Sequence, residues 1–221
     1  MTDPDIELWH CRDSRSLRAL WTLCELDLPH RLHLLDFPPR VTDPGFLEIN
    51  PLGTVPVLRD GATRMTESSA ICHYLARRYG AGMLAVDPGD PAYGDWLNWL
   101  HHADATLTFP QTLILRYGRF EPEGRRQPQV VADYTQWALS RLKLVNARLE
   151  SAEYLCADRF TAADIAVGYA LYLGRFTGLA EHYKPQTAAY VDRLTARPAF
   201  RRARAPGRPL PGVRDAVRPD P

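Results

Sequence analysis

Cysteine is scarce in this chain and never arranged as C-x-x-C. Cys11, Cys24, Cys72 and Cys156 stand apart in the 221 residues, and two of them fall on apolar faces of expected helices, where cysteine acts as a small hydrophobe. That spacing argues against a disulfide framework. A dominant charge is missing too: 27 Lys and Arg against 26 Asp and Glu leave a net charge of +1 and a pI near 7.7, without the strong basic balance of a nucleic-acid binder. No apolar run is long enough to cross a bilayer, and Met1-Thr2-Asp3-Pro4-Asp5 lacks a charged-then-apolar signal sequence, so the expected compartment is the cytoplasm, with no membrane partner. His101 and His102 have no third ligand at suitable spacing, which leaves a metal site unsupported. The length suffices for one large or two small domains with a sizeable core.

The chain does carry two adjoining signals. In Asn50-Pro51-Leu52-Gly53-Thr54-Val55-Pro56-Val57-Leu58, Pro56 forces Val55 into an extended conformation and offers no N–H of its own, so a strand ladder stops or opens there. A cis Val55–Pro56 bond would turn the N–H and C=O of Val55 outward, free to pair with the amide of a ligand. Asp60-Gly61 is a hairpin dipeptide, and Thr66-Glu67-Ser68 precedes the helically spaced Ala70, Ile71, Tyr74 and Leu75. A helix N-terminus attracts a carboxylate, and Glu67 beside it answers an ammonium, so both charges of an α-amino acid find partners within one turn. The alternative reading of the same residues is structural: Pro56 ends an edge strand and Ser68 caps a helix.

Ile6–His10 reads as a strand, Leu17, Leu20, Trp21 and Cys24 recur at helical spacing, and Arg31–Leu35 reads as a second strand. The breaker-rich Asp87-Pro88-Gly89-Asp90-Pro91 reads as a linker. Beyond it, Tyr93 to about Tyr117, Gln129 to Leu149 and Thr161 to Phe176 are amphipathic, with a broken loop over Gly118–Pro128. Phe160-Thr161-Ala162-Ala163-Asp164-Ile165 has the form of a capping box with a hydrophobic staple.

The N-P-x-G-x-V-P pattern joined to E-S-x-A-I resembles the glutathione-binding half of glutathione transferases, and the resemblance runs from about Ile6 to Phe200. It implies a thioredoxin-like N-terminal domain, βαβ followed by ββα, over 1–82, a linker at 83–91 and an all-helical domain over 92–204; the prolines and glycines of 205–221 read as a loose Pro-rich tail. It further implies that glutathione binds as co-substrate along Val55 and Pro56, with its γ-glutamyl end at Glu67 and Ser68. A homodimer and an electrophilic, partly apolar second substrate follow, the latter held between domains near Leu107, Phe109, Leu113, Arg116 and Tyr117. Thr54 stands where this branch often has lysine, which leaves Arg40 as a replacement for gripping the glycine carboxylate.

A free thiol, with a pKa of about 8.5, is only a few per cent ionised near neutral pH, so the protein must stabilise the thiolate. The tyrosine found at the end of the first strand in many transferases is absent, since the first tyrosine is Tyr74. Ser14, four residues before Arg18, matches serine-type members, and Ser14-Arg15-Ser16 resembles a bacterial and fungal branch; Arg15 adds positive charge beside the thiolate. Spacing alone fits Ser14 equally as a helix N-cap. Cys11 is the alternative, through a mixed disulfide with glutathione, although Arg15 and Ser16 occupy the cysteine-type motif positions. Asp104 matches an acid that reaches the partner subunit's glutathione in related enzymes, and otherwise reads as a solvated helix residue. The resemblance accommodates conjugation, glutathione-dependent peroxide reduction or thiol exchange, and a binding protein that keeps the fold without catalysis. The Ser-Ser-Cys motif of isomerase members is absent.

Overall fold

A computed structural model of the chain describes residues 5–208, and these fall into two compact units. The first begins with β1 (Ile6–His10), α1 (Ser16–Glu25) and β2 (Arg31–Leu34). β1 and β2 pair in parallel, Glu7 facing Arg31 and His10 facing Leu34, and a parallel pair requires the crossover that α1 supplies. The short helices α2 (Pro39–Thr42) and α3 (Phe46–Ile49) lead to β3 (Val57–Asp60) and β4 (Thr63–Met65), and α4 (Ser68–Tyr79) closes the run. β3 runs antiparallel to β1 with Trp9 opposite Val57, giving the sheet order β2-β1-β3-β4. The β3–β4 hairpin turns at Asp60-Gly61, where Gly61 has φ +55, a backbone region that suits glycine.

The second unit is helical. α5 (Tyr93–His102), a π-helical segment over Ala103–Thr108, α6 (Phe109–Leu115) and a second π segment over Arg116–Phe120 occupy the stretch whose spacing predicts one amphipathic helix to about Tyr117, the last running into the loop expected from Gly118, which also holds a short 3-10 turn over Glu123–Arg125. α7 (Pro128–Arg141) and α8 (Lys143–Leu149) divide the next, and α9 (Ala162–Thr177) and α10 (Pro185–Thr195) complete it. α9 is apolar all round and every residue except Arg175 and Thr177 is buried, as expected of a helix enclosed by others. Its capping box forms: Thr161 accepts from the Ala163 N–H, and Asp164 accepts from the Thr161 N–H at 2.8 Å. At its other end Gly178, φ +82, supplies the left-handed C-cap. Phe160 sits edge-on to Tyr154.

The divisions expected from breaker residues shift in two places. The first unit runs through Ala85 and the second begins at Val86, because Leu84, Ala85 and Val86 are buried and do not form an exposed linker over 83–91. Residues from Ala196 rejoin the first unit, so α11 (Pro198–Arg204), which the family resemblance assigns to the 92–204 helical domain, packs against α1 instead. Phe200 meets Trp21 edge-on at 4.9 Å, and Arg197 grips Glu25 in a bidentate pair at 2.6 and 2.8 Å. These nonlocal partners lie far away in sequence, where no local signal marks them. Of the tail expected from 205 onward, residues 209–221 lie outside the described residues. No described helix is long and apolar enough to cross a membrane.

Candidate active site

The loop from β1 to α1 is built around buried polar groups. Asp13 takes φ +61 and is fully buried, held by Arg204 at 3.1 Å and by Arg12 at 3.7 Å. This bend returns the chain so that the Ser14 N–H donates to the Cys11 carbonyl. The helix itself starts at Ser16 with Arg15 in the cap position, so Ser14 is not the N-cap. Its hydroxyl lies 2.8 Å from the Cys11 carbonyl and 2.8 Å from Ser16 Oγ, and Ser16 Oγ lies 2.8 Å from His10 Nδ1. Ser16 and His10 are fully buried, while Ser14 is 8% exposed and Arg15 is exposed. Burial pushes the His10 pKa down to about 4, with its Ser16 bond opposing the change, so the imidazole is neutral near pH 7.

Cys11 belongs to an apolar cluster with Trp9, Phe46, Val55 and Val57. Burial, with the Asp36 charge in second place, pushes its thiol up to about 12. A thiol in that setting is protonated near neutral pH and is a poor nucleophile. The same cluster joins this loop to the 50–56 segment. The Val55 side chain is buried in it, the Val55–Pro56 bond is cis, and no backbone hydrogen bond among the described residues engages Val55.

Asn50, the first residue of the N-P-x-G-x-V-P motif, braces that segment. Its side chain donates to the Thr54 carbonyl at 2.8 Å and accepts from the Leu52 N–H, while Gly53 N–H donates to its carbonyl. Gly53 has φ +60, and a Cβ there would come within 2.6 Å of Arg40 Cβ, so glycine is needed for conformation and for close approach. Arg40 and Thr54 are both exposed beside this turn.

At the start of α4, Glu67 is the N-cap residue with extended backbone, and its side chain is exposed. Ser68 is buried and its hydroxyl accepts from the Arg18 guanidinium at 3.0 Å. Arg18, fully buried in α1, thereby ties the helix beginning near Ser14 to the helix beginning at Ser68. Within the first unit the first loop, the Val55–Pro56 edge and the α4 N-terminus are thus joined by shared contacts. Asp104 lies in the second unit, half-buried in the π segment after α5. His10, Ser16 and Asn50 were given no role by local pattern. Asn50 and Ser16 stood within the N-P-x-G-x-V-P and Ser14-Arg15-Ser16 motifs, and His10 closed the first strand, but their partners are visible only in the fold.

Residues 14–78 match the family model described as the glutathione S-transferase N-terminal domain. Glutathione S-transferase GstB of Escherichia coli K12 is 32% identical over 204 residues, covering 89% of this chain and 96% of the relative. The chain belongs to the glutathione S-transferase family. Among solved structures, a glutathione transferase from Methylococcus capsulatus aligns with a TM-score of 0.80 and 26% identity, over 90% of this chain and 97% of that one. A theta class glutathione S-transferase from Xanthomonas axonopodis pv. citri, solved with glutathione bound, aligns with a TM-score of 0.74 and 27% identity, over 92% and 99%. The glutathione S-transferase fold accounts for the four-stranded mixed sheet, its helices and the helical second unit.

Proposed function

We propose that this chain is a cytoplasmic, homodimeric glutathione transferase that joins the glutathione sulfur to an electrophilic, partly apolar small molecule. The observation that carries this reading is the backbone of Val55, unpaired among the described residues and joined through one apolar cluster to the loop that holds Ser14. The Val55 N–H and C=O receive the cysteinyl part of glutathione as a short added strand, with Pro56 closing the ladder. Glu67 takes the γ-glutamyl ammonium, and the α4 N-terminus with Ser68 takes its carboxylate. Arg40 and Thr54, at the exposed turn, face the glycine end. Asp104 is assigned to the partner subunit's glutathione within the dimer.

Ser14 donates a hydrogen bond to the sulfur and favours its anion, with the α1 N-terminus and Arg15 adding positive potential. The thiol proton leaves to solvent, the thiolate attacks carbon, a C–S bond forms and the bond from that carbon to its leaving group breaks, the electron pair departing with the leaving group. No covalent enzyme intermediate is required, so catalysis rests on positioning and charge stabilisation. Titrating the protein with glutathione while following thiolate absorbance tests the reading: absence of binding at millimolar glutathione rejects it. Ser14→Ala is expected to raise the bound thiol pKa by about 1–2 units, the value of one charged hydrogen bond. Cys11→Ala is expected to leave turnover within about twofold, since a buried, protonated thiol contributes nothing to the step.

A further inference from the structure

Three short polar contacts run in series through the first loop: His10 Nδ1 to Ser16 Oγ, Ser16 Oγ to Ser14 Oγ, and Ser14 Oγ to the Cys11 carbonyl, each 2.8 Å. Each contact needs one proton between its two heavy atoms, because facing lone pairs repel at that distance. The two hydroxyls supply one proton each and the carbonyl supplies none. The third proton must therefore sit on His10 Nδ1. With His10 as donor, every link is filled in one direction: His10 to Ser16, Ser16 to Ser14, Ser14 to the Cys11 carbonyl.

Ser16 Oγ also lies 3.2 Å from the Cys11 carbonyl, and in this order its hydrogen goes to the shorter partner, Ser14 Oγ at 2.8 Å, while the carbonyl is filled by Ser14. Ser16 Oγ also accepts from the Cys11 N–H at 3.2 Å, and Ser14 Oγ also accepts from the Ser16 N–H at 3.3 Å. Each hydroxyl then accepts twice and donates once, its full capacity. His10 Nε2 is buried with no hydrogen-bond partner among the described residues. In the Nδ1–H tautomer that atom is a bare lone pair, whereas the other tautomer buries an unpaired N–H, the rarer and costlier defect.

Resting on the assignment of Ser14 to the glutathione sulfur, we infer that His10 and Ser16 are positioning residues forming a one-way proton-ordering relay, which leaves the Ser14 hydrogen as the only one of the three not held by another side chain of the series. Without a ligand that hydrogen rests on the Cys11 carbonyl; with glutathione bound it turns to the sulfur. Because Ser14 already accepts from Ser16, its own hydrogen is more strongly polarised and a better donor to an anion. Neither His10 nor Ser16 touches the substrate, and neither exchanges a net proton during turnover.

Two measurements on the full-length protein test the relay. Nitrogen NMR at pH 7, with the His10 signal assigned by its loss in His10→Asn, is expected to show the Nδ1–H neutral tautomer; a proton on Nε2 overturns the relay. Thiolate absorbance with saturating glutathione is expected to show the bound thiol pKa raised by about half a unit in Ser16→Ala, roughly a threefold loss of thiolate at a pH below the thiol pKa. Glutathione affinity at low pH, where the thiol is protonated, should stay as in the parent, and Ser16→Thr should restore the thiol pKa. A parent-like thiol pKa in Ser16→Ala, alongside a shift in Ser14→Ala, rejects the relay and leaves Ser14 in place. No shift in Ser14→Ala rejects both. If Ser16→Ala fails to fold, the tautomer of the parent decides.

Discussion

His10 shows how one side chain acquires its properties from where the chain carries it. At the end of an apolar strand it reads as a polar interruption; in the fold it is fully enclosed, and burial lowers its pKa from 6.5 to about 4. As pH falls, the unfolded chain binds this proton before the folded one does. Stability tied to neutral His10 is complete above pH 6.5 and is lost as pH falls toward 4, by about 3 kcal/mol at full extent. Urea unfolding at pH 7 and pH 4.5 is expected to show this loss in the parent and a smaller one in His10→Asn. Cys11 is the complementary case. Both the thiol and the Ser14 hydroxyl were legible as candidates from their loop, but local spacing says nothing of the apolar cluster that keeps Cys11 protonated or of the hydrogen bonds that orient Ser14.

At the scale of elements, the most readable signals were those whose causes lie within a few residues. The hairpin at Asp60-Gly61 and the start of α9 formed as their turn and capping residues dictate. Asp164 goes beyond its local cap. Fully buried, it also accepts from Tyr190 Oη at 2.7 Å and from the Leu155 N–H at 3.1 Å, so one carboxylate joins α9, α10 and the preceding loop. Burial pushes its pKa up while these donors act against that shift. Asp164→Ala strands a tyrosine hydroxyl and two N–H groups in the interior, and is expected to cost about 3 kcal/mol or more in denaturant unfolding. Thr161→Ala, which removes chiefly the cap, should cost only about 1 kcal/mol. Amphipathic spacing over Tyr93–Tyr117 indicated helix correctly, but the π segment within it and the one that runs past its end to Phe120 were invisible. Each spans only five or six residues, little more than one π turn, too short to register a separate apolar period.

For the molecule as a whole, the largest departure from sequence reading is the return of α11 to the first unit. Its residues 198–204 are few and their spacing is equally suited to any apolar surface. Its place on α1 comes from Phe200 against Trp21 and from Arg197 on Glu25, contacts about 172 to 179 residues apart. α1 is consequently covered on its Trp21 and Glu25 side by this C-terminal segment, while Arg18 and Thr22 are buried against Ser68 and Cys72 of α4. Phe200→Ala is expected to lower unfolding stability by about 3–5 kcal/mol, the usual cost of emptying a buried aromatic position. A loss under about 1 kcal/mol, measured by thermal or urea unfolding, contradicts this account of α11.

The sequence by itself determined the elements with local causes: the βαβ and ββα order, the Val55–Pro56 interruption, the Glu67–Ser68 helix start and the capped central helix. Proline, glycine, caps and apolar periods act over a few residues, so their effects survive without knowledge of the fold. Only the tertiary structure decided which of these residues share an environment. It set Cys11 in an apolar cluster, bound Ser68 to Arg18, braced the 50–54 turn with Asn50 and aligned His10, Ser16 and Ser14 at hydrogen-bond distance. Burial and the count of available protons are properties of neighbours brought together, and these determine which side chains stay neutral and which way a hydroxyl points.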